Sequence, residues 1–164
     1  MTTSPRIWRF GDAIDTDAMA PGQYMKDDLA TLASHCLESV RPEFPQAVSP
    51  GDIVVAGSNF GLGSSREQAP QALRHLGDSL LVARSYAGLF FRNAINLGLA
   101  AVLCPDVDRL PDGVAVRVDH AAGLLELDGG ERIAFQPMPD FLRAIVDAGG
   151  LMPHLQHTFA RKPA

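Results

Sequence analysis

Cysteine is almost absent: Cys36 and Cys104 are the only two in 164 residues. They are too few and too isolated to build a disulfide framework, or for this chain alone to ligate a zinc or iron-sulfur site. Each reads as a small buried hydrophobe. There is no basic run, and the formal net charge is -5, which argues against a nucleic-acid-binding surface. No apolar run reaches the roughly 18 residues of a membrane span. Met1–Arg6 also lacks the apolar core of a signal peptide, so the expectation is a cytoplasmic protein without membrane contact. Internal repeats and low-complexity stretches are missing too. What is present is ordinary for a globular protein, with 46% hydrophobic and 20% charged residues. The length fits one domain over residues 1–164.

Three short apolar runs, Ile53–Ala56, Leu80–Ala83 and Ala100–Cys104, lack alternation, as strands buried on both faces do. Helical spacing separates them. One helix is expected over Gln71–Gly77. A second is expected from Tyr86 to Asn96, with Leu89, Phe90, Ala94 and Leu97 inward and Gly98 as its stop. Strand, helix, strand, helix, strand implies right-handed crossovers and a parallel sheet. Upstream, Ile7–Phe10 reads as a short strand. Leu29, Leu32, Ala33, Cys36 and Leu37 share one helix face, with Asp27 or Asp28 as N-cap. Arg41–Pro50, with three prolines, reads as an ordered connector without regular helix. Downstream, Val114–Val118, Leu124–Leu127 and Arg132–Phe135 are separated by turn signals, as in an antiparallel meander. Pro139 then opens a helix that runs through Phe141, Leu142, Ile145 and Val146 to Gly149-Gly150, and the tail from Thr158 to Ala164 reads as frayed.

Between the first buried strand and its helix lies Gly57-Ser-Asn-Phe-Gly-Leu-Gly-Ser-Ser-Arg-Glu-Gln-Ala-Pro70. A strand that ends in glycines before a helix gathers unpaired N–H groups and a positive dipole end, so an anion is the natural ligand. A dinucleotide fingerprint fails because Arg66 occupies the third glycine position. A P-loop fails for want of Gly-Lys-Ser/Thr, and neither Ser64 nor Ser65 has the Gly-x-Ser-x-Gly frame of a nucleophile elbow. Ser64-x-x-Glu67 has the form of a capping box, a purely structural reading that stands beside the functional one. Arg66 resists that reading, because the dipole disfavours a cation in a first helical turn, whereas a bound carboxylate would justify a guanidinium there. Pro70 comes too late to be the first residue of a helix starting at Ser65, so a short turn, a break and a restart are expected. In the loop Gly11–Asp17, three aspartates fall within six residues. Counted from Asp12, Asp17 and Gln23 hold the positions where a calcium loop needs glycine and glutamate. The simplest role of these aspartates is to cap turns. His154 and His157 are three apart but lack a third ligand nearby, and His35, His75 and His120 read as surface or edge residues.

The glycine stretch resembles the signature of the swivel domain of the aconitase family, in the form found in small subunits of 3-isopropylmalate dehydratase and homoaconitase. Gly11-Asp-x-Ile-Asp-Thr-Asp17 with Pro21 and Tyr24, Ala83–Gly98, and Gly149-Gly150-Leu151 resemble further family segments in the same order. The resemblance implies an α/β fold, a swivelling β/β/α domain with a mainly parallel sheet core and the antiparallel C-terminal meander. It implies a hydro-lyase active only with a large subunit. That partner carries a [4Fe-4S] cluster whose open iron acts on the substrate hydroxyl, while a serine of the small subunit removes the proton next to a carboxylate. The serine falls on Ser64. Glycine-loop amides, the helix start and Arg66 could stabilise its alkoxide. Arg66 would clamp a substrate carboxylate with Ser65 as neighbouring donor, and Asp12 matches an aspartate of the active-site loop.

The chain departs from the family pattern at several positions. Ala13 stands where asparagine is usual, Leu62 where isopropylmalate-type subunits have cysteine, and Gln68 where many members have histidine. After Tyr24 the homoaconitase pattern is Tyr-Leu-Arg-Thr, while this chain has Tyr-Met-Lys-Asp. Lys26 would suit a substrate with an extra carboxylate. Isopropylmalate-type subunits have an apolar residue there, but small stand-alone subunits of this length are typical of that type, so the leading expectation is a 3-isopropylmalate dehydratase small subunit of leucine biosynthesis, acting on a di- or tricarboxylate. Homoaconitase or a substituted-malate dehydratase is the alternative. A non-catalytic carboxylate- or partner-binding module is the reading from another class, and the joint presence of Ser64, Ser65 and Arg66 weighs against it.

Overall fold

A computed structural model describes residues 4–160. Four parallel strands, β1 (Ile7–Arg9), β2 (Ile53–Ala56), β3 (Leu80–Ala83) and β4 (Ala101–Leu103), lie in the order in which the chain visits them. The three buried runs are thus parallel neighbours, and the Ile7 strand adds a fourth at the edge. The meander forms a separate antiparallel sheet of β5 (Val116–Asp119), β6 (Leu124–Leu127) and β7 (Arg132–Ala134).

Residue alternation along β2 explains the layering. Ile53 and Val55 join Leu80, Val82 and Val102 in a core shared with Val116, Leu125 and Ile133 of the meander. Val54 and Ala56 join Leu81 and Ala83 in a core shared with the helices. Successive side chains point to opposite faces, so both faces are covered, and the run needed no polar residue. The layers are sheet, sheet and helices, as the β/β/α expectation required.

The helices are α1 (Thr16–Met19), α2 (Leu29–Ala33), α3 (Phe44–Ala47), α4 (Gln68–His75), α5 (Gly88–Asn96), α6 (Asp140–Asp147) and α7 (Leu151–Ala160). Asp28 caps α2 by accepting from Thr31 N–H at 2.8 Å. This helix is shorter than the apolar spacing suggests, because turns follow from Ser34 and Leu37 adopts φ 61°. Cys36 and Leu37 are nevertheless fully buried. The proline connector does hold one helical turn, α3, with Pro45 in its first positions, where a missing N–H costs no hydrogen bond. On α6, Phe141 is exposed, while Leu142, Ile145 and Val146 pack against the core. Thr158–Ala160 is helical rather than frayed; 161–164 lie outside the described residues.

Candidate active site

The carboxyl ends of β1, β2 and β3 lie side by side, and the loops after them meet beyond that edge, where open α/β sheets hold their ligands. The middle loop, from Gly57 onward, is stitched to both neighbours. On one side Gly57 N–H donates to Gly11 O, Ala13 N–H to Ser58 O, Gly61 N–H to Ile14 O and Thr16 N–H to Leu62 O, at 2.7–3.1 Å. On the other side Arg84 N–H donates to Gly57 O, Phe60 N–H to Ser85 O and Ala87 N–H to Phe60 O, at 2.9–3.1 Å. The loop thus prolongs the pairing of the sheet instead of hanging free.

Two glycines are sterically required. A Cβ on Gly57 would sit 1.8 Å from Asp12 Oδ1, the oxygen that accepts from Ser58 N–H at 2.7 Å. Gly61 has φ +86°, and a Cβ there would lie 2.1 Å from Phe90 Cγ. Close approach of α5 to the loop therefore depends on the absence of a side chain at Gly61.

Past Leu62 the sheet-like pairing ends. Among the described residues, no hydrogen-bond acceptor meets the backbone N–H groups of Gly63, Ser64, Ser65, Arg66 and Glu67. Gly63, Ser64, Ser65 and Arg66 of this stretch line a pocket, and unpaired amides on successive residues suit an anion. Buried Thr16 fixes the height of Ser64 by donating from Oγ1 to Ser64 O at 2.8 Å. A pocket of about 150 Å³ opens between Ser64, Ser65 and Arg66 on one side and Gly88, Leu89 and Asn93 of the α5 region on the other. Asn93 Nδ2 donates to Ser65 Oγ at 3.4 Å. Arg66 is held in place: Nη2 pairs with Asp17 Oδ1 at 2.6 Å and Nη1 donates to Ala20 O at 2.8 Å. A guanidinium has five N–H donors, so these two contacts orient it and leave others for a ligand.

The structure thus brings Ser64, Ser65 and Arg66 to one pocket. Asp12 is turned to the Ser58 amide and Lys26 is exposed; neither lines the pocket. The capping box does not form. Glu67 is itself the N-cap of α4 and makes no side-chain capping bond, and Ser64 precedes the helix. No break occurs at Pro70 either. It is the third helical residue, and its absent N–H is one that the first turn leaves unbonded anyway.

The sequence reading missed four contributors, Thr16, Asp17 as partner of Arg66, Leu89 and Asn93. Only Asp17 carried a local signal, as one acid of a dense loop. Of the other two aspartates there, Asp15 does cap a turn, accepting from Ala18 N–H at 2.8 Å. Both cysteines are buried, and burial pushes both thiols up. They belong to different core clusters, and no group of three metal-ligating side chains occurs among the described residues. The described residues, with two separated buried cysteines, therefore do not fit an iron-sulfur cluster.

Residues 15–106 match the model of the aconitase C-terminal domain. A 3-isopropylmalate dehydratase small subunit of Methanopyrus kandleri is 50% identical over 150 residues, 90% of this chain and 88% of the relative. A methanogen homoaconitase small subunit of Methanothermobacter thermautotrophicus is 46% identical over 156 residues, 93% of this chain and 90% of the relative. The crystal structure of a 3-isopropylmalate dehydratase from Methanocaldococcus jannaschii superposes with a TM-score of 0.91 at 38% identity, covering 96% of this chain and 95% of that one. The chain therefore belongs to the aconitase C-terminal domain family and is a hydro-lyase small subunit of that family.

Proposed function

We propose that this chain is the base-bearing small subunit of a 3-isopropylmalate dehydratase, completed by a large subunit that carries the [4Fe-4S] cluster. The observation that carries the reading is the pocket lined by Gly63, Ser64, Ser65 and Arg66, whose backbone N–H groups meet no acceptor among the described residues, with the Arg66 guanidinium held by Asp17. Chemistry at the substrate hydroxyl belongs to the partner subunit, and no step at that end is assigned to this chain.

At the other end, a substrate carboxylate meets Arg66 and the adjacent amides, which bind it and fix the neighbouring C–H. Ser64 Oγ takes that proton and returns one during rehydration. A serine is far too weak a base in water, so its charged form needs donors already in place. Fixed backbone amides supply that stabilisation without having to reorganise. Ser65, tied to Asn93, adds a hydroxyl beside the carboxylate. Asp17 keeps the Arg66 fork aimed, and Asp12 serves by fixing the glycine loop at Ser58. Exposed Lys26 lies outside the pocket lining. It takes part only where the distal end of a tricarboxylate extends to it, which is the homoaconitase-type reading.

The test is Ser64→Ala in the reconstituted two-subunit complex. General-base loss is expected to lower kcat by about 10²–10⁴-fold while the complex still assembles. Unchanged turnover would refute the assignment and favour a non-catalytic binding module.

A further inference from the structure

We infer that His35 is a positioning residue of the active site: stacked on Tyr24 and held by Glu38, it anchors the segment from which Arg66 is aimed. By sequence His35 reads as a surface residue, yet its ring lies flat on that of Tyr24, with centroids 3.6 Å apart and planes 3° from parallel. Free aromatic pairs prefer offset or edge-on arrangements. A stack this close is therefore imposed by what holds each ring. His35 Nδ1 lies 2.8 Å from Glu38 Oε2. A carboxylate only accepts, so Nδ1 carries the proton and donates, which fixes the plane of the imidazole. Tyr24 ends the turn Gly22–Tyr24, its N–H donating to Pro21 O at 3.0 Å and its carbonyl accepting from Asp27 N–H at 3.1 Å.

The stack matters for what lies next to it. Leu37, two residues after His35, donates its N–H to Ala18 O at 2.7 Å from a left-handed backbone with φ 61°. The turns after α2 thus grip the chain around α1 at two points, Ala18 and Tyr24. Both groups that hold Arg66 belong to this gripped segment: Asp17 adjoins the first point and Ala20 lies between the two. The Asp17 side chain is 66% exposed, and an exposed ion pair does little to fix its own geometry. Its place is given by the backbone that carries it. The Ala20 carbonyl leads directly into the turn that ends at Tyr24, so its direction follows the anchoring of that ring. Without the His35 ring the turn is freed, and the guanidinium drifts from the carboxylate it binds. This rests on the dehydratase reading above and adds what keeps its Arg66 aimed.

The experiment measures KM and kcat for 3-isopropylmalate in complexes reconstituted with the large subunit. Arg66 holds its carboxylate equally before and during proton transfer, so His35→Ala is expected to raise KM about tenfold with kcat changed less than about twofold. His35→Phe keeps a flat ring against Tyr24 and should return KM to within about threefold of wild type. In an Arg66→Lys background, which has no fork to aim, His35→Ala should add little further. A purely structural stack would lower the recovery of the complex and leave KM unaltered, which would overturn the assignment, as would a full additional rise of KM in the Arg66→Lys background. Should His35→Ala not assemble, Glu38→Ala leaves the ring but frees its plane; a raised KM supports the assignment and an unaltered KM overturns it. Failure of the dehydratase reading shows separately, in the wild type: a complex that does not turn over 3-isopropylmalate ends both proposals.

Discussion

The two ends of the parallel sheet treat polar groups in opposite ways. At the amino end, Asp52 is 5% exposed and fully engaged, accepting from Arg6 N–H, Ser49 N–H and Trp8 Nε1 at 2.9–3.0 Å. Beside it, Asp78 is 6% exposed, and among the described residues neither carboxyl oxygen meets a hydrogen-bond partner. Burial pushes its carboxyl well above the usual range, and the nearby Leu80 and Val54 amides offset this only in part. At the carboxyl end, Gly63, Ser64, Ser65 and Arg66 line an open pocket, and none of their backbone N–H groups meets an acceptor among the described residues. One end encloses its polar groups to close the fold. The other leaves them open to the pocket, on a loop fixed by its pairing to both neighbours. Unsatisfied donors are affordable where a cleft admits a ligand, whereas an unsatisfied acid inside the core is a standing cost.

Changes at each end should therefore differ in kind. The largest effect is expected from Gly61→Ala, which combines a left-handed backbone with a 2.1 Å clash against Phe90. A loss of about 3 kcal/mol or more in unfolding free energy, read by urea denaturation, is expected. A variant of normal stability would show that loop and helix are less tightly joined than the packing indicates.

Thr16→Val removes the hydroxyl that supports Ser64 O. Its stability cost is about 1 kcal/mol, but displacement of the base should lower kcat of the complex roughly tenfold. If stability fell and kcat stayed level, the height of Ser64 would not matter to the chemistry.

Asp78→Asn probes the opposite end and should act on stability alone. The folded chain holds the Asp78 proton more tightly than the unfolded chain does. This contribution is therefore fully present below the ordinary carboxylate range and is lost as pH rises towards the elevated folded value. The variant should gain on the order of 1 kcal/mol near neutral pH and lose part of the downward slope of stability with pH, with kcat of the complex as in wild type. A destabilised variant would mean that Asp78 has partners which the packing conceals.

The sheet was legible because doubly buried strands leave a plain signature. Ile53–Ala56 and Leu80–Ala83 appear in the structure with the same bounds, since no polar residue can be placed where both faces are covered. Helix limits were less legible. Leu89 fits an inward position by spacing, but the inward direction at the start of α5 is set by the Gly61–Phe90 contact, between residues 29 apart.

The same division runs through the site. Sequence by itself singled out Ser64, Ser65 and Arg66 beside the glycines, because glycines, hydroxyls and a cation adjacent in the chain must remain adjacent in space. Only the tertiary structure decided that Asp17 aims Arg66, that Thr16 and Asn93 support the two serines, and that Leu89 faces them. Those partners come from loops and helices 23–49 residues away, brought together where three parallel strands end. Their meeting depends on sheet order and crossover, which no local pattern encodes.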